Sequence, residues 1–327
     1  MRVLATGGAG YVGSAMVRLL LGRGYEVMVY DNLSKGYRAA VPVECLIEGD
    51  LAESDKLVQV LKEHHIDVVA HFAGSIAVGE SMENPRHYYR NNIGNSLLLL
   101  EAMQDSGVEK IIFSSTAAVY APVAEGVLTE DSPLGPANPY AVSKYTIERM
   151  IEDFAGAYGW SYVMLRYFNA CGASEDGQYG EAHDPETHLI PMVLQAALGQ
   201  REKISIFGTD YDTPDGTCIR DYVHVDDLAE AHIMALKAVE AGRSSIYNVG
   251  TGTGNSVLEV LRAAQEVVGA KIPTEITGRR AGDTSRLVAS SKRLRQDWGW
   301  QPKHQELKDV IKTAWGWHQT HPDGYQE

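Results

Sequence analysis

The chain has 327 residues, 44% of them hydrophobic and 22% charged, the mix of a globular protein with a large core and room for a second lobe. Its formal net charge of -14 repels phosphate backbones and makes nucleic acid a poor partner, though a few local arginines can still hold a small anion. Three cysteines without a C-x-x-C pair, no apolar leader after Met1-Arg2, and no apolar run of the roughly 18 residues a span needs predict a cytoplasmic protein with no membrane partner.

In chain order, short buried strands are expected at Arg2–Thr6, Glu26–Tyr30, Cys45–Glu48, Asp67–His71, Lys110–Ser114 and Tyr162–Leu165. Helices are expected near Gly13–Leu21, Ser54–His64, Pro85–Met103 and Ala141–Tyr158. This alternation builds a parallel sheet covered on both faces. Four consecutive leucines, Leu97 to Leu100, surround the third helix, so it is expected to be buried on two sides. One side faces the sheet; a second subunit is preferred for the other, with the protein's own chain as the alternative. After Arg166, the segments Ala173–Thr187 and Gly208–Gly216 lack periodicity and read as ordered loops of a smaller lobe that closes over a ligand. Tyr222–Val239 returns to a strand and a helix. Residues 1–170 are therefore expected to form one domain, re-entered near 220–240, and 171–327 mainly a substrate lobe.

The segment Thr6-Gly7-Gly8-Ala9-Gly10-Tyr11-Val12-Gly13 follows the first strand and opens the first helix. Small residues there let backbone N–H groups approach a pyrophosphate at the helix N-terminus. Asp31 ends the second strand about twenty residues on, where a carboxylate accepts from a ribose diol and repels a 2′-phosphate. The cofactor expected is NAD. Gly49-Asp50-Leu51 is placed to meet the adenine, and His71-Phe72-Ala73-Gly74 forms another small-residue loop at the sheet's carboxyl edge. The fold class expected is α/β, a Rossmann-type doubly wound parallel sheet with a smaller, interleaved C-terminal lobe.

Tyr140-Ala141-Val142-Ser143-Lys144 opens a helix after a Pro-rich stretch, and residues four apart share a helical face. A cation fixed beside a phenol favours the phenolate, and a shift of two pKa units corresponds to about 2.7 kcal/mol. Tyr140 is thus a candidate base, with Thr116 at the end of the fifth strand as a hydroxyl relay. With 17 tyrosines in the chain, the Tyr/Lys spacing gains weight only beside the glycine loop and Phe113-Ser114-Ser115-Thr116.

Taken together, TGGAGYVGS (Thr6–Ser14), YDNLS (Tyr30–Ser34), HFAG (His71–Gly74), YYRNN (Tyr88–Asn92), FSSTAAVY (Phe113–Tyr120), NPYAVSK (Asn138–Lys144), LRYFNACGA (Leu165–Ala173) and YNVGTG (Tyr247–Gly252) resemble the extended short-chain dehydrogenase/reductases, and most closely the UDP-galactose 4-epimerases. The resemblance runs on to HPDGY at His321–Tyr325 and covers essentially the whole chain. It implies that Gly7, Gly10, Tyr11, Val12, Gly13, Asp31, Asn32, Leu33, Ser34, Asp50, Leu51, Phe72, Ala73, Gly74, Asn91, Tyr140, Lys144 and Phe168 meet NAD. It makes Tyr140, Lys144 and Thr116 catalytic, and assigns the UDP-sugar to Thr116, Asn169, His188, Leu189, Phe207, Arg220, Arg280, Asp283 and Leu287. The implied reaction is epimerisation at C4 of UDP-galactose or UDP-glucose through a 4-keto sugar, by a homodimer. N-acetylhexosamine, arabinose/xylose or uronate substrates stay open, as does a non-catalytic NAD-binding regulator.

Three positions depart from the family's pattern. Thr116 stands where Ser is frequent and keeps the hydroxyl; Ile76 replaces a frequent Lys; and His188 stands where many members have Asn. Related dehydratases carry an Asp-Glu pair after the relay Thr, and decarboxylases a nearby Glu, whereas this chain has Ala117 and Ala118. Leu287, where hexose-restricted members carry Tyr, is expected to admit N-acetylated sugars weakly. His183 and His188 show no carboxylate or thiolate set at metal spacing, so no metal is expected.

Overall fold

The middles of the first-half strands, Val3–Ala5, Val68–Ala70 and Ile111–Phe113, are apolar throughout, so neither face can meet water and helices must cover both. The computed structural model, which describes residues 1–121, 126–280 and 283–326, has that arrangement. β1 (Arg2–Thr6) leads through α1 (Tyr11–Gly22) to β2 (Glu26–Asp31) and β3 (Leu46–Glu48). α2 (Ser54–Glu63) returns the chain to β4 (Val68–His71). After α3 (Val78–Glu83), α4 (Pro85–Tyr88) and α5 (Asn95–Ser106) come β5 (Lys110–Thr116), α6 (Pro139–Tyr158) and β6 (Ser161–Tyr167). Then follow β7 (Asn169–Cys171), α7 (Leu189–Ala197), β8 (Ile204–Phe207), β9 (Ile219–His224), α8 (Val225–Glu240) and β10 (Ser245–Val249). The chain finishes with β11 (Gly254–Ser256), α9 (Val257–Val268), β12 (Thr274–Thr277), β13 (Arg286–Leu287), α10 (Lys292–Trp298) and α11 (Leu307–Thr320).

The large sheet has the order β10-β6-β5-β4-β1-β2-β3 with every pairing parallel. Chain order reverses between β1 and β4, which makes this a Rossmann-type doubly wound sheet with its ligand crevice at the carboxyl ends of those strands. On one face Met16 and Leu20 of α1 pack with Leu228 and Leu236 of α8. On the other lie Leu57 of α2, Leu99 and Met103 of α5, and Ile147 and Ile151 of α6. Each such side chain contributes roughly 1.5–3 kcal/mol on burial, so sheet and covers form a stiff platform. The chain's return to it runs past Glu240 as far as Val249, because β10 is the strand beside β6. Above the carboxyl edge, β9 pairs with β7, β11 and β13, and β8 with β12, over a second core from α7, α9 and α11.

The strands fall where expected, with shifted ends. The third helix does not run unbroken from Pro85: α4 passes into a π-helical turn at Tyr89–Gly94 before α5 begins. Leucine periodicity gives no sign of such a turn, which is set by the side chains it must aim into the site. Leu99 and Leu100 are buried and Leu98 is half-buried, but Leu97 is 37% exposed, so the described chain leaves the outer side of this helix uncovered. Among the described residues no helix is long and apolar enough to cross a membrane.

Candidate active site

The glycine loop is shaped by close backbone approach. Gly7 sits at φ +70°, and a Cβ there would lie 2.4 Å from the Ala73 amide nitrogen; at Gly13 it would lie 2.5 Å from the Gly7 carbonyl. Gly10 is the N-cap of α1 and supplies no side-chain acceptor, so the helix presents bare N–H donors at the sheet's carboxyl edge. That is the arrangement a pyrophosphate needs. Asp31 is 7% exposed; its Oδ2 accepts from Ala9 N at 3.0 Å and its Oδ1 from Leu33 N at 2.9 Å. Burial raises its pKa and these two N–H groups oppose the rise. Each oxygen keeps a lone pair for a ribose hydroxyl. These residues fit NAD.

The flanking residues form a connected rim. Asn32 Nδ2 donates to Asp50 Oδ2 at 2.7 Å, and Asn32 Oδ1 accepts from Ser34 N and Oγ. Leu33 takes a positive φ of 56°. Leu51 packs into the core with Leu57 and Leu61, and Val12 packs against the core on the other face. Tyr11 Oη donates to the Gly172 carbonyl at 2.6 Å, tying the loop to the segment after β7. Phe72 rests on the buried His232 ring at 4.9 Å, and Asn91 Nδ2 donates to Ser75 Oγ at 3.0 Å. The neighbouring Asn92, which sequence reasoning missed, does more. Its Oδ1 accepts from Ser75 N and its Nδ2 donates to Ser143 Oγ at 2.9 Å, joining the Gly74 loop to α6. The π-helical turn is what points it inward.

Asn138 caps α6 by accepting from Ala141 N at 2.9 Å, and Pro139 follows in the first turn, which together place Tyr140 and Lys144 one turn apart. Tyr140 faces Thr116; burial raises the phenol's pKa and the neighbouring Thr116 hydroxyl opposes the rise. Thr116 Oγ1 also accepts from Ala118 N at 3.2 Å, so the hydroxyl caps its own backbone as well. The Lys144 ammonium is 3% exposed, donates to the Ser114 carbonyl at 2.9 Å and lies 4.9 Å from the Phe113 ring centre. Burial lowers its pKa to about 8. Burial outweighs the acidification of Tyr140 expected from this cation.

Beneath α6 lies a buried network. Arg166 forms a two-pronged pair with Glu148 at 2.8 and 2.6 Å, Ser115 Oγ donates to Glu148 at 2.5 Å, and Arg166 reaches Tyr120 Oη at 3.1 Å, which donates on to Asn248. These residues brace Ser114–Thr116 from behind. Glu148 stands four residues after Lys144, the one sequence signal that could have found it.

In the smaller lobe, Arg220 donates to the Thr284 carbonyl at 2.9 Å and lies 3.5 Å from Asp283, which Arg280 also approaches at 3.5 Å. The Arg280 guanidinium covers Phe207 at 4.6 Å. Arg220 and Asp221 are therefore not a surface pair. Asp221 is wholly buried and accepts from Thr251 N and Oγ1, Gly252 N and Ala289 N, while Asn169 Nδ2 donates to its main-chain carbonyl at 2.9 Å. Leu287 is half-buried beside the cluster that contains Phe168, Tyr120 and Ala289, and pairs in register with Arg220.

His188 is the N-cap residue of α7 and precedes Leu189. Sequence spacing did not single out a carboxylate set for it or for His183, yet the fold brings the ligand atoms of Glu181, His183, Glu186 and His188 within 4.8 Å of one another. The carboxylates raise the pKa of His183 to about 9 and of His188 to about 10 against the opposing effect of burial.

A family model described as the NAD dependent epimerase/dehydratase family matches residues 3–250. A UDP-glucose 4-epimerase from Halalkalibacterium halodurans is 47% identical over 99% of this chain and 98% of its own length. The solved UDP-glucose 4-epimerase of Bifidobacterium longum, in complex with NAD+ and UDP, superposes with a TM-score of 0.94 at 37% identity, covering 99% of this chain and 100% of that one. A UDP-Glc/GlcNAc 4-epimerase from Campylobacter jejuni superposes with a TM-score of 0.85 at 41% identity, over 98% of this chain and 99% of that one.

Proposed function

The chain belongs to the NAD dependent epimerase/dehydratase family, and we propose that it interconverts UDP-galactose and UDP-glucose at C4 with Tyr140, Thr116 and Lys144 as its proton-handling set. The observation that carries this reading is Tyr140 and Thr116 facing each other beside the buried Lys144, at the sheet edge where the glycine loop ends. NAD, when bound, supplies the acceptor and then the donor of the C4 hydride. Gly7, Gly10 and Gly13 admit its pyrophosphate to the α1 N-terminus, and Asp31 takes its ribose hydroxyls.

Tyr140 Oη takes the C4-hydroxyl proton through Thr116 Oγ1 and returns it after the sugar has presented its other face. A buried phenol with a raised pKa holds its proton, so the phenolate would depend on the Lys144 ammonium and on the positive charge that a bound oxidised nicotinamide would add. An ammonium has three donors; one meets Ser114 and two remain for a ribose. Arg220 and Arg280 hold the diphosphate, with Asp283 orienting both guanidiniums. Phe207, Leu189, His188, Asn169, Phe168 and Leu287 enclose the nucleotide and sugar. Ala117 and Ala118 give neither elimination of water nor decarboxylation an acid.

The working unit is a cytoplasmic homodimer joined through the outer side of α5, where Leu97 is 37% exposed and nearby Tyr89 41%. The purified protein should carry NAD and convert UDP-galactose to UDP-glucose with no added oxidant. Absence of conversion, or conversion that requires exogenous NADP, would overturn the reading.

A further inference from the structure

Glu181, His183, Glu186 and His188 lie on the segment that precedes α7, apart from the Tyr140 set. We propose that these four side chains form a binding site for one divalent transition cation of the zinc class, which clamps this segment between α1 and α7. The donor atoms already converge. His183 Nδ1 lies 3.1 Å from Glu181 Oε1 and 3.7 Å from Glu186 Oε2. His188 Nδ1 lies 2.8 Å from Glu181 Oε1 and 3.0 Å from Glu186 Oε1. A tetrahedral zinc ion with ligands at about 2.0–2.2 Å separates neighbouring donor atoms by about 3.3 Å. The four His–Glu distances lie within about 0.5 Å of that spacing, and all four donor groups lie within 4.8 Å of one another.

Charge supports the same conclusion. The Glu181 and Glu186 side chains are 5% and 3% exposed, so two carboxylates sit out of water against the imidazoles of His183 and His188, with His318 also near. Two negative charges in that position require two positive ones. Two imidazolium protons provide them, and so does one dication, which exchanges those protons for four coordinate bonds from a single point. Two nitrogens and two carboxylate oxygens suit zinc or cobalt and are a poor match for calcium or magnesium. The supports are in place too: Glu186 Oε1 accepts from the Thr187 and His188 amides, the His183 ring stands edge-on to Tyr11, and Trp317 Nε1 donates to the Glu181 carbonyl. His188 is 42% exposed and leaves an entry path.

The other grouping of this kind among the described residues, His224, Asp226 and His304, does not qualify. The buried His224 ring uses both nitrogens, Nδ1 with Asp226 N and Nε2 with Thr313 Oγ1, and is stacked on His304 at 3.8 Å.

Full-length protein stripped with a chelator and dialysed would be titrated with Co2+ while visible absorption, metal content and Tm are followed. One Co2+ per chain is expected, with the strong d–d bands of a four- or five-coordinate site, displacement by Zn2+, and a higher Tm. His183→Asn and Glu186→Gln should each weaken binding by tenfold or more, about what loss of a well-placed ligand or its support produces. If Glu186→Gln fails to fold, His183→Asn carries the test, since its side chain is 20% exposed. No stoichiometric binding, binding without those bands, or affinity unchanged in His183→Asn but lost in His304→Asn would overturn the proposal.

Discussion

Along the carboxyl edge of the large sheet the site residues are fixed by main chain, whereas those of the smaller lobe also depend on one another. Gly7, Asp31, Thr116 and Lys144 are each held by a backbone contact, at Ala73, Ala9, Ala118 and Ser114. Arg220 has a main-chain tie to Thr284, but it and Arg280 meet Asp283 only at 3.5 Å, the spacing of a loose ion pair. The first wall is complete before any ligand arrives. The second has a charged lining that a diphosphate can enter by replacing one internal contact with another. Chemistry needs fixed geometry and entry needs yielding geometry, and the two are assigned to different parts of the chain.

The comparison breaks most sharply at Tyr140. Tyr140→Phe removes the acid–base group and nothing that binds UDP, so turnover should fall by about 10²–10⁴ while UDP affinity, followed by calorimetry, stays within a few-fold. A variant within tenfold of wild type would remove Tyr140 from the role. Next comes the brace behind it. Arg166→Met strands the Glu148 carboxylate in the core, which should cost about 3–5 kcal/mol in denaturant unfolding, against under 1 kcal/mol for Arg280→Met in the open lobe. Comparable losses would show that the walls are equally rigid.

Lys144 sharpens the contrast through pH. Its folded pKa of about 8 lies below the ordinary 10.5. Between those values the unfolded chain binds a proton that the folded chain has released, so stability should rise with pH there, and stay level in this respect below pH 8. Relative to Lys144→Met, wild type should gain up to about 1.4 kcal/mol per pH unit across that window. A flat difference would show that the ammonium is better solvated than its burial implies. The smallest effect is expected at Leu287. Leu287→Tyr should reduce use of UDP-N-acetylgalactosamine more than of UDP-galactose, by a ratio worth about 1–3 kcal/mol. Equal loss of both in steady-state assays would make Leu287 a packing residue of the cluster around Phe168.

The same division decides what could be read from sequence. The glycine loop, Asp31 and the Tyr140/Lys144 spacing announce themselves because each is local: a strand, a turn and one helical repeat. Asn92 and Arg166 went unnoticed, and Asp221 was considered only as a surface partner of Arg220, because their partners, Ser143, Glu148 and Thr251, are distant in sequence and adjacent only in the fold. The carboxylates around His183 and His188 were in plain view within one short segment. No regular period describes that segment, so no rule of spacing could fold it. The broken third helix was missed for a related reason, since apolar pattern reports which side is buried and not how many residues make a turn.

That wide turn at Tyr89–Gly94 also sets a phase. A π-helical turn holds one residue more than the helix around it, and each residue of an α-helix advances the face by about 100°. Were the same residues wound as ordinary helix, everything after the turn would be rotated by that angle. Leu100 would swing out of the core as Leu97 swung toward it, and Asn92 would lose its aim at Ser143. The turn thus works as an indexing step, keeping the polar face that serves the site and the apolar face at the surface in register along one rod.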